Sequence, residues 1–348
     1  MKPIDSRDLG HFLEKTRSCW ETLGGKRVFI TGGSGFVGRW LLETILYANA
    51  RLGLSLSVGT MTRDAKTLRA SLPHLVNDSA LTIYQGGFAF LKGLNGEFDF
   101  VVHAAADTRV APERADEILA SMLDGTRIAL DFTERVGARD FLLTSSGAAY
   151  GRQPPDITHL SEEYPGKPDA NDPSSAYGEG KRLAELMCAR SSEQTGIRTK
   201  IARLFAFVGP HLALDRQYAA GNFIRDALRG ETIRIAGDGT DLRSYLYAAD
   251  MAIWLWTILF RGEPGRIYNV GSDQEISIEE LAKLVAQAAG SRAPISIAKT
   301  PVPGKLPARY IPSTARARTE LHLQEWVPTA ESIKRTVEWF RDQTHGIV

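Results

Sequence analysis

The chain is predicted to fold as a doubly wound parallel α/β sheet with a smaller C-terminal α/β lobe, and three observations predict it. Six short runs, apolar on both faces, alternate with helical segments, the pattern of a parallel sheet covered on both sides. The first run leads straight into a glycine-rich turn and a helix. After about residue 206 the elements shorten, as in a lobe packed over one end of a sheet.

Taken in order, residues 1–24 carry Leu9, Phe12, Leu13, Thr16 and Trp20 at helical spacing, which predicts an amphipathic brace laid on the domain ahead of its first strand. The strands "KRVFIT" (26–31), "LSLSVGTM" (54–61), "LTIYQ" (81–85), "FDFVVHAA" (98–105), "DFLLTSS" (140–146) and "TKIARLF" (199–205) fall within a dinucleotide-binding domain over 25–205. Residues 151–175 are too polar for a core and are expected to loop over the site. Residues 206–348 supply a helix "NFIRDALRG", strands "TIRIAG" and "RSYLYAAD", an apolar helix at 249–261, a strand "RIYNVG", a helix "SIEELAKLVAQAA" and a last helix near 331–343. They form mainly the smaller lobe, with some elements returning to the first domain.

Charge excludes some partners. Lys+Arg of 42 against Asp+Glu of 41 gives a net charge of +1, so no global field draws nucleic acid or an anionic membrane, and any anionic ligand must be held locally. Cys19 and Cys188 stand far apart without metal-ligand spacing, which predicts reduced thiols in a cytoplasmic protein and no metal site. The first twenty residues interleave charges, unlike a signal peptide. The longest apolar run, "MAIWLWTILF", is about half the length that spans a bilayer.

"FITGGSGFVG" sets Gly32, Gly35 and Gly38 three apart between strand and helix, where small residues permit a tight turn and close approach of backbone N–H groups to a pyrophosphate. At the end of the second strand, where a carboxylate would hold an NAD ribose, "TMTRDA" presents Arg63 before Asp64. An arginine there suits a 2′-phosphate, so NADP(H) is favoured over NAD(H). Further on, Tyr177 and Lys181 of "SSAYGEGKRLAELM" lie one helical turn apart. An ammonium beside a phenol lowers its pKa and readies it to exchange a proton with a substrate oxygen. Ser146, ending a strand, can donate a second hydrogen bond to that oxygen.

With these residues the chain resembles the extended short-chain dehydrogenases/reductases that act on nucleotide sugars, the epimerases, 4,6-dehydratases, decarboxylases and 4-ketoreductases. "TGGSGFVG", "VVHAAA", "LLTSSGAAYG", "YGEGKRLAE", "RLFAFVGP", "RSYLYAAD" and "YNVGS" occur in that family's order from Gly25 nearly to the C-terminus. The resemblance implies a Rossmann domain and a catalytic trio of Ser146, Tyr177 and Lys181. It implies a cofactor site of Gly32, Gly35, Phe36, Val37, Gly38, Arg63, Ala104 and Ala105 together with Tyr177 and Lys181. For the nucleoside diphosphate sugar it implies contacts from Ser145, Ser146, Asn222, Phe223, Arg243 and Arg309, the two arginines on the diphosphate. It also implies a homodimer through a helix near 113–136 and the helix of Tyr177. Two positions depart from the family's pattern: Gly87 stands where an aspartate commonly holds adenine, and Ala206 where an asparagine is usual.

In the family's 4,6-dehydratases an Asp-Glu pair follows the catalytic hydroxyl, and in its decarboxylases a Glu lies nearby; here those positions are Gly147 and Ala148, which cannot move a proton. What remains is exchange at one carbinol or ketone carbon, C4 of the sugar. Arg63 favours an NADPH-dependent 4-ketoreductase, and the resemblance extends to bacterial enzymes that reduce dTDP-4-dehydro-6-deoxyglucose to dTDP-fucose for surface polysaccharide. A 4-epimerase that retains NAD is the alternative, and a non-catalytic redox sensor, which would have lost one of the trio, is a more distant one.

Overall fold

The computed structural model describes residues 1–105, 114–216 and 218–344. Ala106 of "VVHAAA" and position 113, where the expected dimer helix begins, lie outside that range. Strands β1 (Arg27–Thr31), β2 (Ser57–Thr62), β3 (Leu81–Gln85), β4 (Phe100–His103), β5 (Asp140–Ser146) and β6 (Arg198–Leu204) join a seventh strand, Ile267–Val270, in one parallel sheet. From one edge the order is Ile267–Val270, β6, β5, β4, β1, β2, β3. The direction of winding reverses between β1 and β4, where such sheets open a crevice at the carboxyl ends of their strands. Thr31 is level there with His103 on β4 and Met61 on β2.

Two helical layers bury the two faces. On one lie α1 (Ser6–Trp20), α2 (Phe36–Leu52) and the helix Ala248–Arg261, whose side chains share a core with Val28, Ile30, Val102 and Leu142. On the other lie α5 (Ala115–Arg135) and α6 (Ala176–Thr195), packed on Phe29, Val101, Phe141 and Leu143, with α4 (Phe88–Leu91) beside them, while α3 (Ala65–Ser71) joins the first core through Leu68. Adjacent residues of each strand thus feed different cores, which is why the strands read as continuously apolar.

Two expected members of the smaller lobe belong to this sheet. The run "RIYNVG" supplies the seventh strand, paired with β6. The apolar helix Ala248–Arg261 is buried around nearly its whole circumference, because the sheet covers one side and α1 another. Trp20 of α1 packs on Trp256 and Phe260 at ring separations of 5.5 and 5.2 Å, so α1 is the predicted brace. "RSYLYAAD" is not one strand. Leu242–Arg243 pairs with Ile276–Ser277 and Arg309–Tyr310, Leu246–Tyr247 pairs with Phe207–Val208, and the helix already starts at Ala248.

The smaller lobe packs the helices Ala219–Arg229, Ile278–Ala289 and Thr329–Thr344 around Phe223, Ile224, Leu281, Val285, Ile333 and Val337. Residues 151–172 are irregular, as expected, but not wholly polar. Leu160 is fully buried against Tyr150 and Phe205, and Asn269 Nδ2 donates to its carbonyl at 2.8 Å. Among the described residues no helix is long and apolar enough to cross a membrane, and no group of His, Cys, Asp and Glu could hold a metal ion.

Candidate active site

The glycine turn meets the carboxyl end of β4. Gly32 has φ +76°, and a Cβ there would stand 2.7 Å from the backbone of Ala105; one at Gly38 would stand 2.1 Å from the carbonyl of Gly32. Neither position admits another residue. Gly35 precedes α2 with no side-chain cap, so the N–H groups of Phe36, Val37 and Gly38 at the head of this 17-residue helix remain for an anion. Ala105 N donates to Thr31 Oγ1 at 3.2 Å, and the same hydroxyl pairs with His103 Nδ1 at 2.9 Å, which locks β1 to β4 beneath the crevice. A cradle that only glycine can line, with open helix N–H groups and Ala104–Ala105 as its far wall, fits a dinucleotide pyrophosphate.

Arg63 is exposed immediately after β2, at this same edge. Asp64 caps α3 instead of facing a ribose: its two carboxylate oxygens accept from Thr67 N at 2.9 Å and Thr67 Oγ1 at 2.6 Å. Thus the one carboxylate of "TMTRDA" is committed to the helix cap.

Ser146 and Tyr177 converge because α6 begins close against the end of β5. Asp172 caps the turn Pro173–Ser175 that leads into α6, and a Cβ at Gly178 would lie 2.5 Å from the carbonyl of Ala148, so glycine permits the approach. Ser146 stands near enough to the Tyr177 phenol to lower its pKa. Lys181, one turn on, is buried; its Nζ donates to the carbonyl of Thr144 at 2.8 Å and lies 5.8 Å from the centre of the Tyr177 ring. The sequence-predicted trio is therefore assembled.

The electrostatics differ from expectation. Burial pushes the Tyr177 phenol up to about 12, with Ser146 opposing, so the expected depression by the ammonium does not appear. Burial also brings the Lys181 ammonium down to about 8, with Glu185 opposing it. His103 is lowered to about 3 by burial and then by Lys181, and is neutral.

Adjacent residues of the expected substrate set separate onto opposite faces. Ser145 is buried and donates to Glu185 Oε1 at 2.5 Å, so its hydroxyl serves the scaffold and not a ligand. Asn222 is half-buried on the first turn of its helix, where its Oδ1 accepts from Arg225 at 3.0 Å. Phe223 beside it belongs to the lobe's core and does not line a pocket. Arg243 pairs in register with Tyr310, and its guanidinium donates to the Leu242 carbonyl at 2.8 Å. Arg309 is turned the other way, toward the Pro155 carbonyl at 3.2 Å and Glu275 at 3.8 Å. The side chain that this strand turns toward Gly147, next to Ser146, is Tyr310.

Sequence reasoning missed the groups that wall the site. Tyr310 lies beside Gly147, its ring tilted against Phe205 at 4.7 Å, and burial raises its phenol above the usual range. A Cβ at Gly147 would lie 2.6 Å from Tyr310 Oη and 2.7 Å from Phe205. Position 147 thus lacks a carboxylate and also lacks room for one. Behind the trio, Glu185 receives Arg203 Nε at 2.9 Å and Nη2 at 2.6 Å, and Arg203 lies 4.3 Å over the Tyr150 ring. The helical spacing of Tyr177, Lys181 and Glu185 was the available signal for Glu185; nothing in the sequence marked Tyr310.

A glycine cradle at the switch point of a parallel sheet, beside a hydroxyl, a phenol and an ammonium, is the layout of the doubly wound α/β proteins that bind dinucleotides. The chain belongs to the NAD dependent epimerase/dehydratase family, whose model matches residues 28–271. It is 30% identical over 321 residues to UDP-glucuronic acid decarboxylase 1 of Xenopus tropicalis, an alignment covering 91% of this chain and 73% of the relative. Its fold is similar to that of the UDP-glucose 4-epimerase of Thermotoga maritima, solved with UDP-glucose (TM-score 0.76, 21% identity, 91% of this chain and 99% of the other). It is similar as well to the UDP-glucuronic acid 4-epimerase of Bacillus cereus, solved with NAD (TM-score 0.76, 19% identity, 91% and 99%).

Proposed function

We propose that the chain reduces the C4 ketone of a nucleotide-linked 4-keto-6-deoxyhexose, dTDP-4-dehydro-6-deoxyglucose by its sequence resemblance, with NADPH as reductant. One observation carries this reading: the position after Ser146 is closed to any acid or base by Tyr310 and Phe205. The family's dehydratases place an acid pair after the hydroxyl and its decarboxylases a Glu nearby, and Gly147 and Ala148 supply neither, so the hydroxyl, phenol and ammonium are left with exchange at a single carbon. The decarboxylase named among the relatives supports a nucleotide sugar as substrate.

In this reading Gly32, Gly35, Phe36, Val37 and Gly38 hold the pyrophosphate, Ala104 and Ala105 line the cofactor, and Arg63 meets a 2′-phosphate. The bound nicotinamide supplies hydride to the sugar carbon. Tyr177 gives its proton to the C4 oxygen while Ser146 donates a hydrogen bond to the same atom, and Lys181 holds positive charge beside them. A phenol raised to about 12 keeps its proton at neutral pH, which suits the acid of a reduction better than the base of an oxidation. Arg243 would meet the diphosphate and Asn222 the nucleotide. The exposed Leu183 and Leu186 on α6 support pairing of two copies along α5 and α6, to be checked by sedimentation.

The test is to identify by mass spectrometry any dinucleotide released on denaturation, then to follow NADPH oxidation with nucleotide-linked 4-keto-6-deoxy sugars. Turnover with NADPH in clear preference to NADH is expected. Stoichiometric NAD retained through purification, with no net consumption of reductant, would overturn the reductase reading in favour of 4-epimerisation.

A further inference from the structure

We propose that Glu43 and His211 are a positioning pair, whose buried hydrogen bond holds the loop at the nucleotide end of the substrate site against the cofactor helix, so that dinucleotide and nucleotide sugar tighten each other's binding. The inference rests on the reading that α2 receives the pyrophosphate at its head and that the smaller lobe meets the nucleotide at Asn222. It starts from one face of α2. Phe36, Trp40 and Glu43 stand at i, i+4 and i+7, on the same side of that helix. Each meets the segment that follows β6. The Phe36 ring stacks on Phe207 at 6.4 Å, Trp40 Nε1 donates to the Pro210 carbonyl at 2.9 Å, and His211 Nε2 pairs with Glu43 Oε1 at 2.9 Å.

The far end of this segment is fixed to the lobe. Arg225 Nη1 donates to the Leu214 carbonyl at 3.1 Å and to Asn222 Oδ1 at 3.0 Å, and a Cβ at Gly221 would lie 2.5 Å from the Ala213 carbonyl. Contacts thus run from the head of α2 through Glu43, His211 and Leu214 to Asn222. Burial gives the pair its weight: the side chain of Glu43 is 2% exposed and that of His211 fully enclosed. A carboxylate removed from water must be met by polar partners. Here the Ile4 N–H donates to Glu43 Oε2 at 2.8 Å, and His74 Nε2 lies 3.2 Å from the same oxygen. Burial opposes the charge, but these neighbours, His211 first, hold the Glu43 carboxyl below its ordinary value.

The backbone of the loop supplies the element with two arrangements. Gly209 has φ +153° and His211 φ +70°, the left-handed region in which a residue with a side chain is strained. His211 keeps that conformation because its imidazole is held by Glu43 on one side and by the Trp339 ring, 4.8 Å away, on another. Released from Glu43, the backbone at position 211 relaxes out of the left-handed region, and the contacts from Leu214 to Asn222 move with it. A dinucleotide that fixes the head of α2 therefore favours the held loop, and a nucleotide that needs the held loop favours the α2 that receives the cofactor. By linkage the two effects are the same factor.

The test is calorimetric titration of dTDP and of UDP into the protein with and without saturating NADP+ or NAD+. In the unaltered protein the dinucleotide is expected to tighten binding of the nucleoside diphosphate at least about fivefold. Glu43→Gln, which keeps the size of the side chain, and His211→Asn, which suits a left-handed backbone, should each bring that factor below about twofold. His74→Gln touches the same carboxylate from the side away from the loop, so the factor should stay within about twofold of its original value. A factor near one in the unaltered protein, a factor unchanged in either Glu43→Gln or His211→Asn, or an equal loss in His74→Gln overturns the proposal. An unaltered protein that binds neither kind of probe overturns the functional reading, and the proposal with it. Because dTDP and UDP undergo no reaction, a wrong choice between reduction and epimerisation leaves the test intact.

Discussion

Replacing Gly147 by alanine tests the closed wall beside the catalytic hydroxyl. The backbone at Gly147 is not among the positive-φ positions, so alanine brings no conformational penalty of its own and lowers the entropy of the unfolded chain. That entropy term alone would stabilise by about 0.4–1 kcal/mol. Against it, the new methyl would lie 2.6 Å from Tyr310 Oη and 2.7 and 2.8 Å from two atoms of the Phe205 ring, so two well-packed side chains must shift. Such overpacking costs about 1–3 kcal/mol. The net expectation is a loss of about 1–2 kcal/mol, which lowers Tm by about 1–3 °C in a chain of this size. Because the displaced group is Tyr310, kcat should fall about tenfold while the affinity for the dinucleotide is unchanged. Calorimetry and steady-state kinetics read both quantities. A variant with unaltered Tm and kcat would show that position 147 has room after all, and the exclusion of a carboxylate there would fail with it.

Gly35→Ala is the matching control: a Cβ there meets only the Gly32 carbonyl, at 3.4 Å. Stability should stay within about 0.5 kcal/mol, while dinucleotide binding by calorimetric titration weakens at least about tenfold. Tyr177→Phe should lower kcat by about a hundredfold or more, and full activity in that variant would revive a non-catalytic reading. Burial lowers the Lys181 ammonium from 10.5 to about 8, so the cation is lost as pH rises through that value and kcat should decline above about pH 8. Across the interval from about 8 to 10.5 the unfolded chain holds the extra proton, so the Lys181 contribution to stability rises with pH, by up to about 3 kcal/mol; denaturant titrations at pH 7.5 and 10 check the sign. Glu185→Gln leaves the guanidinium of Arg203 buried without its partner and should cost about 3–5 kcal/mol by chemical denaturation. Adding Arg203→Met should restore most of that loss.

The sheet, the glycine turn and the pair Tyr177 and Lys181 were legible because each rests on a local rule. Strand and helix periods show in runs of a few residues, a phosphate turn needs glycines at fixed offsets, and one helical turn joins positions four apart. Gly147 was legible too, as the absence of a proton carrier. Local rules stop at the choice of face. Ser145 and Ser146, Asn222 and Phe223, and Arg309 and Tyr310 are neighbours of which one serves the site and the other the scaffold or another surface, and only the packing of α6 and of the lobe decides which. The same holds for layers: "RIYNVG" and the helix Ala248–Arg261 read as lobe by position in the chain, yet their apolar surface could be buried only on the sheet. Tyr310 reaches Gly147 from 163 residues further along the chain, and no sequence pattern links them. The pKa of Tyr177 depends on how much water the assembled walls exclude, so the ammonium one turn away set the expectation and burial set the outcome. By itself the sequence determined the fold class, the glycine turn and the pairing of Tyr177 with Lys181 on one helix, all properties of nearby residues. Tertiary structure decided which faces those groups present, what surrounds Ser146 and which protons stay in place, because these depend on surfaces that meet only when the chain is folded.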